Sequence, residues 1–211
     1  MDALLLAQYV PALTPLRFVE LGTGCGMAAC ALALRLPHAQ GIGVDCDAAA
    51  TDAARRNFRT LGLEHRLTAH VADVAHIPSL RALVSTPPHV VMANPPYRAA
   101  HAGRPPLQAE RRQALVGNPD TLDIFCAAAF ALLPHGGRFC CVFSASRLST
   151  LIATLQRHRL GLRRLRSVHT RPEADARLIM AEARKDCADD ARLEPPLLLS
   201  PSRHAFPPPA E

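Results

Sequence analysis

The chain has 211 residues, 49% hydrophobic, 20% charged and 4% aromatic, with a formal net charge of +6. That length suits one α/β domain with its own core, no run approaches the ~20 apolar residues of a membrane span, and no secretory leader is visible at the start. Seven cysteines without a C-x-x-C pair and ten scattered histidines argue against a disulfide framework or a metal site and point to a reduced, cytoplasmic setting.

Residues 2–10 read as a leading helix. Arg17 to Leu21 is a short strand, followed by Gly22-Thr23-Gly24-Cys25-Gly26 and an alanine- and leucine-rich helix from Met27 to Leu36. Strand, glycine loop and helix open a nucleotide-binding unit, in which Gly22, Gly24 and Gly26 let the backbone turn tightly beside a ligand. A dinucleotide fingerprint would need a glycine where Met27 stands, which disfavours a NAD-dependent dehydrogenase. The pattern is instead E-x-G-x-G-x-G. Glu20, at the strand end, repels a pyrophosphate and suits an amine-bearing ligand.

The next strand, Gly41 to Asp45, ends in an acid about 20 residues beyond the glycines, the position of a ribose-diol acceptor. Asp47 is the better cap for the helix that follows, Ala48 to Leu61. A third strand, Leu67 to Val71, leads to Ala72-Asp73-Val74, where Asp73 is placed to accept from an adenine amine. Each acid alone reads equally as a cap or turn residue. Three acids at successive strand ends, with the glycines, are much harder to assign to capping.

His89 to Ala93 is an apolar strand that runs into Asn94-Pro95-Pro96-Tyr97. Each proline fixes its own φ and pushes the preceding residue to extended geometry, so the turn is stiff. It presents the Asn94 amide and the Pro95 carbonyl together as acceptors, with Tyr97 beside them as a stacking face. That set suits a planar group bearing an NH2. The plainer reading is a proline-proline loop stop.

Residues 98–118 form a long, polar, proline-bearing segment, and a loop of that length after a catalytic strand is more often functional than idle. Arg98, Arg104, Arg111 and Arg112 lie in it and are candidates for substrate phosphates. A second cluster, Arg157 to Arg171, reads equally as phosphate contacts or as a solvated face. An apolar helix over 120–133 with Asp120 as cap, a strand from Arg138 to Phe143 and a helix from Ser146 to Arg159 follow. Arg163–His169 and Arg177–Ala183 make a closing hairpin. The sum is a Rossmann-like, doubly wound sheet of about seven strands, mainly parallel with an antiparallel C-terminal hairpin. One domain is expected over 1–187. The tail over 188–211, acidic and then proline-rich, is expected to be disordered.

Taken together, Glu20 to Gly26, Gly43-Val44-Asp45 and Asn94-Pro95-Pro96-Tyr97 resemble the motifs of class I S-adenosylmethionine-dependent methyltransferases that act on planar nitrogens. From the tetrapeptide onwards the chain is similar to the bacterial tRNA adenine-N6 methyltransferases that modify the adenosine beside the anticodon of a valine tRNA. That likeness rests on Gly103, Arg111, Leu122-Asp123, Val168 to Arg171 and Ala181 to Lys185. The resemblance implies S-adenosylmethionine as cofactor, held by Glu20, Gly22, Gly24, Gly26, Asp45, Asp73, Val74 and Asn94. It implies catalysis by Asn94, Pro95 and Tyr97, and a tRNA substrate met by a monomer. Two departures stand out: family members carry further residues before the segment matched by Met1 to Ala7, and Arg98 replaces a second aromatic. A protein-glutamine methyltransferase would use the same acceptors but is expected to carry a separate helical substrate domain, for which there is no room before Glu20. The motifs also admit methylation of ribosomal RNA or DNA amines, and a non-catalytic RNA-binding relic.

Overall fold

A short helix, α1 (Asp2–Tyr9), opens the chain and buries Leu5, Leu6, Ala7 and Tyr9. Strand and helix then alternate: β1 (Leu16–Leu21), α2 (Met27–Arg35), β2 (Ala39–Asp45), α3 (Ala48–Thr60), β3 (Leu67–Val71), α4 (Ile77–Leu83) and β4 (Val90–Ala93). The second half comprises α5 (Thr121–Leu132), β5 (Arg138–Ser144), a 3-10 turn over Ala145–Arg147, α6 (Leu148–Arg157), β6 (Leu160–His169) and β7 (Ala176–Lys185). Two short strands close it, β8 (Arg192–Leu193) and β9 (Leu197–Leu198). The structure is a computed structural model that describes residues 1–96 and 121–199. Tyr97, Arg98, Arg104, Arg111, Arg112 and the expected cap Asp120 lie outside the described residues.

The strands form one sheet in the order β3-β2-β1-β4-β5-β7-β6-β8, with β9 also on β6. From β3 to β5 every pairing is parallel; β7 enters antiparallel between β5 and β6. Parallel strands must be crossed over by helices, so both faces of the sheet are covered and its central strands read as continuous apolar runs. β4 shows this directly. Val90 and Met92 join the cluster shared with α1, α2 and α3, whereas Val91 and Ala93 join the one shared with α4, α5 and α6.

Local chemistry sets the ends of the elements. Asp47 caps α3, its Oδ1 accepting from the Ala49 and Ala50 amides at 2.9 and 3.2 Å, a device that contributes about 1 kcal/mol. The short α4, with Pro78 in its first turn, is not among the elements expected from the sequence; seven residues give too few turns for a helical period to stand out.

The tail expectation needs correction. Residues 188–199 are not structureless: Arg192–Leu193 and Leu197–Leu198 run parallel to β6. Asp189 accepts from the Leu162 amide at 2.7 Å, and the Asp190, Glu194 and Leu199 amides donate to β6 carbonyls. The stretch has no periodic apolar face because backbone amides and acidic side chains do most of the binding, with Leu197 and Leu199 alone packing against the core. The sheet therefore has nine strands among the described residues instead of about seven.

Candidate active site

Strand register brings four chain ends to one edge. Leu21 lies opposite Val44 on one side and Ala93 on the other, and Asp45 lies opposite Val71. The segments that leave β1, β2, β3 and β4 therefore emerge together. Order runs outward from β1 to β3 on one side and from β4 to β5 on the other, so the crevice at β1 and β4 is the topological switch point of the sheet. A cleft of about 320 Å³ lies there. Its walls are Gly22 and Gly24 from the loop after β1, Asp45 and Cys46 from β2, and Asp73 and Val74 after β3. Asn94 and Pro96 after β4, and Ile124 and Phe125 from α5, complete it.

The glycine loop has a left-handed backbone at Gly22, Gly24 and Gly26, with φ of 70°, 55° and 78°, which only glycine adopts without strain. It is tied to the neighbouring strand twice. The Thr23 amide donates to the Val44 carbonyl at 2.9 Å, and the Gly24 amide to Asp45 Oδ2 at 2.8 Å. The other carboxylate oxygen of Asp45 accepts from the Asp47 amide at 3.0 Å. Each oxygen keeps a second lone pair for a hydroxyl in the cleft.

Glu20 sits behind this loop and does not line the cleft. It is 4% exposed and accepts from Thr23 Oγ1 at 2.8 Å and from the Ala29 amide at 3.1 Å. Burial pushes its carboxyl up to about 8, against the two hydrogen bonds and with a further upward push from Asp45. Gly26 also stays out of the cleft. It caps α2, and the Phe58 ring occupies the space where a side chain would go.

Asp73 is exposed and accepts from the Ala75 amide at 2.9 Å, with Val74 buried next to it. Asn94 Oδ1 is buried and, among the described residues, has no hydrogen-bond partner. A buried amide oxygen without a donor is costly, and this one lies at the carboxyl end of β4. Pro95 is buried beside it.

Three contributors carry no mark in the sequence: Cys46, Ile124 and Phe125. The Phe125 ring stands 3.3 Å from where a Cβ on Gly22 would be, so it forms the cleft's apolar wall. The one available signal is an apolar pair following Leu122-Asp123 at a helix start. Asp123 fastens that helix, pairing with Arg157 at 2.5 Å and His158 at 2.9 Å. Its carboxyl is held below the usual range, chiefly by the His158 hydrogen bond.

The arginines of the second cluster are largely engaged with the protein itself. Arg157 meets Asp123, Arg159 meets Asp186, Arg163 meets Asp190, and Arg166 donates to the Pro195 carbonyl. Among the described residues no group of three or more His, Cys, Asp or Glu is placed to hold a metal, and no helix is long and apolar enough to cross a membrane.

An adenosyl-sulfonium cofactor needs an acceptor for a ribose diol, an apolar slot for a purine and close backbone approach for its amino-acid part. The Asp45 carboxylate, the Val74 and Phe125 side chains and the glycine loop supply these in one cleft, and the residues fit such a group.

Comparisons with known proteins agree. Residues 2–156 match the family model described as Methyltransferase small domain. A tRNA1(Val) (adenine(37)-N6)-methyltransferase of Porphyromonas gingivalis is 28% identical over 174 residues, 81% of this chain and 66% of that protein. A release factor glutamine methyltransferase of Rhodospirillum rubrum is 38% identical over 128 residues, 57% of this chain and 38% of that protein. The chain thus spans just under two thirds of the first relative's length and well under half of the second's. Among solved structures, that of a "predicted O-methyltransferase, protein Atu636" from Agrobacterium tumefaciens shares the fold, with a TM-score of 0.74 at 24% identity over 99% of this chain and 92% of that one. With most of its length matched by the family model and its glycine loop, strand-end acids and cleft arranged as above, the chain belongs to the Methyltransferase small domain family.

Proposed function

We propose that this protein methylates the exocyclic amine of an adenosine in tRNA, the base beside the anticodon of a valine tRNA, with S-adenosylmethionine as donor. The observation that carries the reading is Asn94 Oδ1, buried at the end of β4 with no donor to satisfy it among the described residues. An NH2 group entering the cleft is the natural partner.

When bound, S-adenosylmethionine supplies an electrophilic methyl group. Asn94 Oδ1 and the Pro95 carbonyl accept the two amine hydrogens of the target base. An adenine amine is a weak nucleophile because its lone pair is delocalised into the ring. Holding both hydrogens favours a tetrahedral nitrogen whose lone pair points toward the glycine-lined wall. No strong base is needed beforehand, because the proton becomes acidic only as the new bond forms. The protein's contribution is positioning and stabilisation of the positive charge that develops on nitrogen. Tyr97 stacks on the base, and Arg98, Arg104, Arg111 and Arg112 meet the RNA backbone; an unpaired loop base costs little to present.

The similarity to the Porphyromonas tRNA enzyme across 81% of the chain supports RNA as substrate. The similarity to the Rhodospirillum enzyme supports a second reading, a protein glutamine, whose carboxamide would satisfy the same acceptors. The test is methyl transfer from labelled S-adenosylmethionine to tRNA lacking the modification, with nucleoside mass analysis. N6-methyladenosine is the expected product. Label appearing in a release-factor protein and none in tRNA would replace the first reading with the second.

A further inference from the structure

A second concave site lies at the far end of the sheet, with chemistry opposite to that of the cleft. It is a pocket of about 530 Å³ lined by five arginines, Arg138, Arg163, Arg164, Arg184 and Arg192. Two carboxylates, Glu182 and Asp190, share the lining. Glu182 is 1% exposed and forms the floor: it pairs with Arg138, with Arg164 at 2.7 Å, and with Arg184 at a looser 3.7 Å. Glu194 takes the other edge of Arg164 at 2.7 Å, and Asp190 takes Arg163 at 3.2 Å. The acids fix three guanidinium groups in place without neutralising the set.

Five arginines face three carboxylates, Glu182, Asp190 and Glu194, so the set carries an excess of two positive charges. Arg184 is held only loosely, its Nε 3.7 Å from Glu182 without a hydrogen bond, and Arg192, exposed on β8, makes no ion pair among the described residues. Loosely held guanidinium groups beside preorganised ones are the recognition set for a phosphate, which accepts several short, charge-assisted hydrogen bonds at once.

Register fixes where this lies relative to the cleft. Arg138 is opposite Val90 and Arg184, and Arg164 is opposite Glu182, itself opposite Cys140. With strands about 4.8 Å apart and residues about 3.3 Å apart along them, the pocket is roughly 15 Å from Asn94. Val90 and Arg138 open β4 and β5 whereas Asn94 follows the last residue of β4, so pocket and cleft lie at opposite edges of the sheet and an RNA that reaches both passes around it.

We propose that this pocket is a phosphate-binding site that holds the RNA backbone at the edge of the sheet opposite the cleft, remote from the base that reacts. The proposal rests on the RNA reading above. It assigns the sheet's antiparallel end, together with the ordered tail that carries Arg192, to substrate grip. A free phosphate or nucleotide offers the same oxyanion, and the experiment separates the two sources.

The full chain is compared with the double variant Arg184→Gln/Arg192→Gln, and with Arg59→Gln, exposed on α3 at the opposite end of the strand order, as a control. Binding of an unmodified tRNA transcript is followed by fluorescence anisotropy across salt. The double variant is expected to bind roughly tenfold more weakly, and its slope of log K against log salt is expected to shrink by about two. Affinity for S-adenosylhomocysteine and the melting temperature without ligand stay put. In a second arm, inorganic phosphate is added and the melting temperature read.

A phosphate-induced rise that the double variant loses, with tRNA binding unaltered, supports the pocket but assigns it to a free phosphate. If the wild type binds no tRNA, the RNA reading falls and the phosphate arm alone decides the pocket. Unchanged tRNA affinity and slope with no phosphate effect overturn the proposal. So does an equal loss in Arg59→Gln, which would reduce the effect to net charge.

Discussion

The Gly24 amide donates to Asp45 Oδ2 at 2.8 Å, so the loop that ends β1 and the acid that ends β2 are one mechanical unit. Removing the carboxylate would both free the loop and delete the acceptor for a ribose hydroxyl. Asp45→Ala is expected to weaken S-adenosylhomocysteine binding on the order of 10- to 100-fold, the range for hydrogen bonds to a charged group. Calorimetric titration measures it, and an unaltered affinity would remove Asp45 from the cofactor site.

Asn94 is expected to act on turnover rather than on cofactor affinity. Asn94→Ala should lower kcat on the order of 10²-fold while S-adenosylhomocysteine affinity changes little, because the lost interaction strengthens as charge develops on nitrogen. Asn94→Asp is a stricter probe, since it keeps an acceptor and adds charge. Full turnover in the alanine variant would sink the assigned role.

Glu20 makes stability depend on pH. Its carboxyl moves from an ordinary 4.5 to about 8 on folding, mainly through burial. Below the ordinary value both folded and unfolded states hold the proton; above it only the folded state does. Stability is therefore fully present at low pH and is lost as pH rises through the folded value. Glu20→Gln should flatten the fall in stability between about pH 5 and 8, by an amount of a few kcal/mol. Urea titrations at several pH values would show parallel curves for the two proteins if Glu20 were not responsible.

Gly26 and Gly24 should respond differently to alanine. At Gly26 an added Cβ would stand 2.6 Å from the Phe58 ring, at φ of 78°; at Gly24 nothing lies within 4 Å. Gly26→Ala should cost about 2 kcal/mol or more in folding, from strain and overpacking together. Gly24→Ala should cost less in stability but weaken cofactor binding, since its side chain would point into open space at the cleft. Denaturation and ligand titration of both variants check the contrast.

The strand ends are the legible part of this chain. Apolar runs followed by Gly22, Asp45, Asp73 and Asn94 announce both the sheet and the side of it that carries the cleft, because a parallel sheet forces those residues to one edge. Glu20 is legible as special but not in its place: spacing cannot tell an acid that faces a ligand from one turned back to hold Thr23 and Ala29. Phe125 and Cys46 are out of reach, since an apolar residue at a helix start or a thiol after a strand carries no mark of what it faces. The pairing of Arg138 and Arg184 around Glu182 depends on register between strands more than forty residues apart in sequence, which no local pattern encodes.

The tail strands β8 and β9 have a consequence for how the protein is handled. Ten-residue β6 would otherwise be the rim of the sheet, a row of bare amides and carbonyls that any passing extended chain can zip onto. By lying along that rim, residues 188–199 act as a selvedge. Clipping the chain at 187 to tidy away a seemingly idle end would strip it, and aggregation through β6, rather than a smaller and better-behaved enzyme, is what the trimming would yield.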